Sequence, residues 1–407
     1  MNNQLKSVAA AQAARLNPVA TIAIAQLFGT SLWFSANSAA PDLMRAWGIG
    51  ISGIGLLTNA VQLGFILGTM AFALSGLADR FLASRIFVAS ACSGAVFNAC
   101  FAGLSNGLLS AAIFRFLVGI SLAGIYPIGM KLIVSWEPKQ TGAALAYLVG
   151  MLTLGTALPQ GIRFLGARWN WQAVIFSSSG LAIAGALLIW TLGDGPHLAP
   201  RPQVALKRMG GTVGAFHSEQ LRATALGYFG HMWELYTFWT LAPALVSTAL
   251  SGKSQKLNIA GVTFLVIAMG AAGCTLGGIW SRKVGSARVA AVALATSGLC
   301  CLITGAVGKQ LSANAFLAIL LVWGAAVVTD SPQFSALSAA AAPSNSVGGV
   351  LAIQNSIGFA ITIASIALAT SLFNRLGLSV AWVLVPGPIL GLIGFYPAWG
   401  KARSGLP

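Results

Sequence analysis

Two carboxyl groups and one imidazole lie inside stretches of the chain that are otherwise apolar. The acids are Glu234 and Asp330, and His231 precedes Glu234 by three residues. Residues three apart share one face of a helix, so His231 and Glu234 are expected to project together. A charge at the centre of a bilayer costs about 2.5–3.5 kcal/mol on insertion scales, and burial disfavours an ionised carboxyl group. The pattern predicts a proton-exchange or substrate site, with a self-satisfied polar cluster as the alternative.

Asp330 is followed by Ser331-Pro332-Gln333, and a proline removes a backbone N–H and kinks a helix. A carboxyl group beside a kink suits the wall of a cavity. Two alternatives stay open. In one, Asp330 only caps the broken helix, and in the other it pairs with Arg115.

Arg115 is the one basic residue deep in an apolar stretch of the N-terminal half. It suits a counter-ion for an anionic substrate or a partner in proton release, and the structural alternative is an arginine that reaches to the outer interface. Arg115 and Lys131 favour an organic anion, whereas the two buried acids favour a cationic or lipophilic compound. The residue types predict no cofactor and no metal centre, although His231, Glu234 and Asp330 could supply ligands to a divalent cation.

Several aromatic and amide side chains are candidates for a cavity lining. They suit a planar or polar organic solute, but rings at helical spacing more often pack against other helices. The candidates are Trp33, Phe34, Asn37, Tyr126, Gln160, Gln354 and Asn355.

Composition decides which elements hold these residues. The 407 residues are 57% hydrophobic and 7% charged, and the mean hydropathy is +0.82. Such a chain is an integral membrane protein, and apolar runs of about twenty residues without strand-like alternation predict helices. Five cysteines without paired spacing predict packing residues and no disulfide framework. Twelve spans are expected: 18–40, 50–78, 86–105, 108–134, 140–161, 171–192, 221–249, 258–280, 287–307, 312–340, 347–373 and 377–399.

The net charge of +16 reflects orientation in a membrane and does not indicate a nucleic-acid partner. With both termini inside, 15 of the 23 Lys and Arg residues fall on the cytoplasmic side and seven fall outside. This bias follows the positive-inside rule. We therefore expect cytoplasmic N- and C-termini, and we expect the protein to be a monomeric, multi-pass protein of a cell inner membrane.

The chain nearly repeats itself after about two hundred residues. Phe28-Gly29 recurs as Phe229-Gly230, and Gly119 with Pro127 recurs as Gly324 with Pro332. Two related halves in one membrane chain are typical of alternating-access transporters. The predicted organisation is a six-helix bundle over 1–192, a cytoplasmic linker over 193–220 and a second six-helix bundle over 221–407.

The loop Gly76-Leu77-Ala78-Asp79-Arg80, continuing to Arg85, and the run from Arg115 to Gly119 resemble two motifs of the major facilitator superfamily. The second glycine of the loop motif is missing, and the antiporter signature of span five is not met between Gly150 and Pro159. The resemblance implies an all-α fold of twelve transmembrane helices in two pseudo-symmetric bundles. It also implies a central cavity, rocking between two open states and a cytoplasmic gate at Asp79, Arg80 and Arg85.

The expected function is secondary active transport of a small organic solute, coupled to protons as a symport. Multidrug or toxic-compound efflux by proton antiport is the alternative. A channel, a receptor or a membrane enzyme fits less well, because the chain lacks metal triads, nucleophile elbows and phosphate loops, and its loops leave no room for a catalytic domain.

Overall fold

The computed structural model describes residues 17–138, 141–197, 214–250, 257–343 and 346–404. Within these ranges every regular element is a helix, which confirms the predicted all-α class. Most of the predicted linker lies outside the described residues, and so does the side chain of the predicted gate residue Asp79.

The described part of the N-terminal half contains eight helices of eight residues or more. They are α1 (Pro18–Thr30), α2 (Ala40–Trp47), α3 (Ile51–Ser75), α4 (Ala83–Leu104), α5 (Leu108–Ala123), α6 (Tyr126–Trp136), α7 (Thr141–Leu165) and α8 (Trp171–Leu192). Short helical turns lie at Ser35–Ser38 and Leu77–Arg80.

Seven such helices lie in the C-terminal half where the structure describes it. They are α9 (Glu219–Leu250), α10 (Ile259–Val284), α11 (Ser286–Val307), α12 (Ala313–Thr329), α13 (Ser331–Ala341), α14 (Val347–Leu376) and α15 (Pro386–Ser404). A 3₁₀ turn at Gly377–Val380 and a helical turn at Ala381–Leu384 join the last two.

Helix ends follow local chemistry. Asn17, Asn170 and Asn258 each accept a backbone N–H at the start of a helix, which satisfies donors that an α-helix leaves open. Gly76 ends α3 with φ +66°, a conformation that other residues rarely adopt. The loop predicted from the Gly76–Arg80 motif therefore begins where the sequence placed it.

Nine segments of the described residues are long and apolar enough to cross a membrane, and the one over Val347–Trp399 contains α14 and most of α15. Helix α1 is apolar but shorter. Helix α9 is long, but it carries the buried polar residues His231 and Glu234 and is not one of the nine. The count of twelve spans stays a prediction.

Three predicted spans are interrupted. In the first span the helix ends at Thr30, and the next helical turn begins only at Ser35. The prediction of a continuous span over 18–40 is therefore wrong there. The fourth breaks between α5 and α6 just before Pro127, and the tenth breaks at Asp330 just before Pro332. The proline of each half thus has the same effect on its span, as the repeat predicts.

Glycine faces bring helices together at equivalent places in the two halves. A Cβ atom on Gly119 would meet the carbonyl oxygen of Val61, and one on Gly324 would meet the carbonyl oxygen of Val266. The backbones of α5 and α3, and of α12 and α10, therefore touch directly. In lipid, where apolar side chains gain little by leaving their surroundings, close backbone approach is a main source of helix association.

Replacing Gly119 or Gly324 by alanine should lower the thermal stability of the detergent-solubilised protein. The added methyl group must push backbones apart, and overpacking costs about 1–3 kcal/mol. Gly180→Ala is the matched control, because nothing lies within 4 Å of a Cβ at that position, and alanine favours the helix. Melting temperatures that are the same in all three variants would contradict the direct contact of the backbones.

Candidate functional site

The two halves meet along two pairs of long helices. Helix α3 packs on α14, and α7 packs on α10. The side chain of Asn59 on α3 donates to the carbonyl oxygen of Ile363 on α14 at 3.0 Å. A Cβ atom on Gly55 would collide with Thr370. The surface between the halves is therefore closely packed along these pairs.

Six aromatic side chains occupy the middle of this interface, and we call them the aromatic layer. Trp33 stacks on Phe359 at 5.8 Å between ring centroids, and Phe65 lies 4.6 Å from Phe359. Rings at such distances attract one another beyond the area they bury. Every member is at most 4% exposed, and the layer consists of Trp33, Phe34, Phe65, Tyr236, Trp239 and Phe359.

Two buried hydrogen-bond donors border the aromatic layer without a protein partner. Gln62 accepts the indole N–H of Trp33 through Oε1 at 3.3 Å. Because an indole nitrogen only donates, that atom of Gln62 must be the oxygen. Its Nε2 and the Nε1 atom of Trp239 have no partner among the described residues. One donor belongs to each half.

Amides of the N-terminal half lie beside the layer. Asn37 donates to Thr58 at 3.0 Å, and Gln160 donates to the backbone carbonyl of Asn37 at 3.4 Å. All three side chains are buried. Four of the predicted cavity residues therefore lie together here: Trp33, Phe34, Asn37 and Gln160.

Arg115 lies inside the N-terminal half, with 1% of its side chain exposed. Its Nη1 atom donates to Ser35 at 3.0 Å and to Asn98 at 2.9 Å. Its Nη2 atom donates to the carbonyl oxygens of Leu32 and Trp33. These carbonyls lie where the first span has lost its helix, so the guanidinium satisfies acceptors that the break exposes.

This geometry corrects two expectations for Arg115. The residue does not reach to an interface, because it is buried, and its partners do not include Asp330. No carboxylate lies within ion-pair distance of the guanidinium among the described residues. Its positive charge is held by neutral groups only.

Glu234 lies fully buried inside the C-terminal half. Its carboxyl group accepts from the indole of Trp323 at 2.6 Å, from Ser297 at 2.9 Å and from the thiol of Cys301 at 3.2 Å. We call these four residues the Glu234 cluster. The prediction that the cysteines only pack is wrong for Cys301, because its thiol contacts the carboxyl group.

His231 and Asp330 form a second buried contact. Nδ1 of His231 lies 2.8 Å from Oδ1 of Asp330, although the alignment is poor for a hydrogen bond, and Nε2 and Oδ2 have no hydrogen-bond partner among the described residues. The histidine ring also lies 5.8 Å from that of Tyr228. Asp330 lies between α12 and α13, where it occupies the cap position of both helices. The pair therefore connects α9 to the break in the tenth span.

His231 and Glu234 therefore share a face of α9 but have different partners. His231 contacts Asp330 at the break in the tenth span, and Glu234 contacts Trp323 on α12. No group of three metal-ligating side chains that could hold an ion occurs in the described residues, so the structure does not bring His231, Glu234 and Asp330 together as a metal site.

The other predicted residues lie apart from the layer or at its edge. Gln354 is buried and accepts from Ser338 at 2.7 Å, and its neighbour Asn355 is partly buried. Tyr126 begins α6 and is partly buried. Arg80 and Arg85 are exposed beside the turn after α3.

The comparison with known families agrees with this architecture. The family model described as Major Facilitator Superfamily matches residues 22–367. The chain belongs to the major facilitator superfamily. A structure of a member of that superfamily, the proton:xylose symporter XylE bound to 6-bromo-6-deoxy-D-glucose, has the same fold. Its TM-score is 0.74 at 14% identity, over 95% of this chain and 96% of the other.

Curated relatives match over shorter stretches. The gallate transporter of Pseudomonas putida is 24% identical over 309 residues, which is 67% of each chain. Solute carrier family 22 member 6-A of Xenopus laevis is 34% identical over 122 residues, or 30% of this chain. The match spans 22% of that relative's length. With the superfamily and the apolar helices, these matches describe a multi-pass membrane protein.

Sequence reasoning missed most partners of the charged residues. Sequence reasoning also missed five residues in or beside the aromatic layer as cavity residues: Gln62, Phe65, Tyr236, Trp239 and Phe359. The spacing of Gln62 and Phe65, three apart on one helix, was a usable signal. The partners of Arg115 and Glu234 had no signal of their own, because serine, cysteine and tryptophan are common packing residues in membrane helices.

Arg115→Lys should destabilise the protein by about 1–3 kcal/mol. An ammonium group cannot reproduce the planar fork, so at least one buried carbonyl of the opened span loses its donor. The measurement is thermal unfolding in detergent. Arg85→Lys, at an exposed position, is the control and should unfold like the wild type. An unchanged melting temperature for Arg115→Lys would show that the break does not depend on the guanidinium.

Proposed function

We propose that this protein is a secondary active transporter that moves a small organic solute across the membrane by alternating access and couples that movement to protons. The observation that carries the proposal is the Glu234 cluster. Its carboxyl group is buried in the middle of a long helix and is bonded by neutral donors alone. A group held in this way keeps hydrogen-bond partners in both protonation states, as a proton carrier requires.

The position of the cluster supports coupling. Glu234 lies two residues before Tyr236, whose ring belongs to the aromatic layer between the halves. The carboxyl group is thus about half a helix turn along α9 from the surface at which the halves meet, on the opposite face of the helix. The His231–Asp330 pair, on the same helix face, offers a second place where a proton changes the local charge.

The relatives support the same reading. One neighbour in fold is named as a proton:xylose symporter and one relative as a gallate transporter. Both names describe transport of small organic molecules. The substrate of this chain and its coupling ion are part of the proposal.

The proposed moving parts are the bundles 1–192 and 221–407, joined by the segment 193–220. Rocking of the bundles would open the aromatic layer to one side and then the other. Exposed Arg80 and Arg85 suit a gate at the predicted cytoplasmic end, together with Asp79. The distribution of its basic residues supports cytoplasmic termini, and we take the protein as a monomer of a cell inner membrane without enzymatic activity.

Efflux of a lipophilic compound by proton antiport is the second candidate. The six rings of the aromatic layer favour it, because aromatic faces bind many planar apolar molecules. The direction of flux that an imposed proton gradient drives separates the two candidates.

The experiment is uptake by the purified protein in liposomes, with a panel of carboxylates, sugars, vitamins, organic cations and drugs. Each solute is measured with and without an imposed pH gradient. Saturable accumulation that follows the gradient supports proton-coupled symport, and extrusion that follows it supports antiport. Saturable flux that ignores the gradient would contradict proton coupling.

Glu234→Gln should abolish accumulation driven by the pH gradient and leave exchange of substrate across the membrane largely intact. Glutamine keeps the size of the side chain, its oxygen can accept from Trp323 and Cys301, and its NH2 group can donate to Ser297, but it cannot exchange a proton. The measurement compares net accumulation with counterflow in the same liposomes.

Glu219→Gln, at the start of the same helix, is the matched control. It should accumulate substrate like the wild type. Gradient-driven accumulation that persists in Glu234→Gln would remove Glu234 from the coupling mechanism.

A further inference from the structure

Buried charge is unevenly divided between the halves. Among the described residues, the buried ionisable acids and bases are Arg115, His231, Glu234 and Asp330. The basic one that is always charged, Arg115, lies in the N-terminal half, and the other three lie in the C-terminal half. Lys131, in the middle of α6, is only partly buried.

His231 and Asp330 balance each other. Whether the proton rests on the imidazole or on the carboxyl group, the contacting pair carries no net charge when it holds one proton. That leaves Arg115 and Glu234, which lie in different halves of the chain. Arg115 bonds the carbonyl oxygen of Trp33, and Glu234 precedes Tyr236 on α9.

Without substrate, the charges of the buried described residues sum to zero only when Glu234 is ionised, because Arg115 has no other counter-charge among them. Net charge within a membrane is costly, so a transporter crosses between its two open states most easily when the buried charges cancel. A proton on Glu234 removes this balance. Something negative must then accompany the proton.

We propose that the substrate is a planar aromatic anion, such as an aromatic carboxylate, carried in one-to-one symport with a proton that Glu234 binds. This inference rests on the proposed function. In the loaded state the anion offsets Arg115 and the proton neutralises Glu234. In the empty state Arg115 and Glu234 offset each other. Both states are neutral, and the cycle moves no net charge.

An exchanged cation does not fit this balance. A cation bound in the layer together with Arg115 leaves one net positive charge when Glu234 is ionised and two when it is protonated. The buried charges therefore favour anion symport over cation antiport.

The aromatic layer supplies the binding groups for such an anion. Trp33 and Phe359 stack on each other in this structure, and opening of the layer by the proposed rocking would give a substrate ring their faces to stack on. The partnerless donors, Gln62 Nε2 and Trp239 Nε1, come from opposite halves and suit the acceptor oxygens of the substrate. A ligand that bonds both donors touches both bundles, as a substrate that triggers rocking must.

The test uses 4-hydroxybenzoate, 4-hydroxybenzamide and 4-hydroxybenzylamine, which share a ring and differ in charge. Uptake into liposomes containing the wild-type protein is compared with protein-free liposomes, since weak acids and amines cross lipid unaided. The membrane potential is set with potassium and valinomycin. We expect saturable, gradient-driven accumulation of the carboxylate that does not change with the potential.

Preference for the amine or the amide, or carboxylate uptake that follows the membrane potential, would overturn this inference and leave the proposed function standing. If the broad panel gives gradient-driven accumulation only of solutes that are not aromatic anions, the inference is likewise overturned. Absence of gradient-driven flux for every solute would contradict the proposed function itself.

Trp239→Phe tests the binding site separately. It removes one indole N–H but keeps a ring in the layer, and loss of a hydrogen bond to a charged group should raise the KM for 4-hydroxybenzoate by about tenfold or more. Trp190→Phe, at a position that is 68% exposed, is the control and should leave the KM unchanged. Equal KM values in the two variants would remove Trp239 from the site.

Discussion

The hydrogen bonds from Arg115 to the opened first span are the interaction on which the centre of this protein depends. In hydrocarbon every backbone polar group needs a partner within the protein. Between Thr30 and Ser35 the span has no helix, and its carbonyls at Leu32 and Trp33 receive the guanidinium instead. These hydrogen bonds stabilise the non-helical conformation of the segment, in which Trp33 and Phe34 face the other half. The aromatic layer follows from it.

The two halves use the same framework for opposite charges. Phe28-Gly29 and Phe229-Gly230 are 201 residues apart, and Glu234 lies at the same offset from Trp33. At this position of the repeat the N-terminal half thus has Trp33, whose ring lies at the interface, and the C-terminal half has Glu234, whose carboxyl group lies in the interior. The first span opens and α9 remains continuous, because among the described residues the buried arginine that could serve the freed carbonyls lies in the N-terminal half. The fold repeats, and its chemistry does not.

Small residues explain why such different interiors fit one framework. Gly119 and Gly324 fix the contacts of α5 with α3 and of α12 with α10 through backbone atoms. Packing that depends on the main chain leaves the side chains on the other faces of these helices free to differ. The halves can then diverge in charge and polarity while the arrangement of their helices stays the same.

The sequence by itself determined the helical class, the membrane setting, the superfamily and the break at Pro332, because length, apolarity and backbone chemistry act locally. It also identified the buried charges, since a charge in an apolar span is visible without a structure. Only the tertiary structure decided their partners: Asp330 for His231, Trp323 for Glu234, and two backbone carbonyls for Arg115. The reason is physical. In a membrane both the lipid-facing and the core-facing sides of a helix are apolar, so hydrophobic periodicity does not tell which face turns inward.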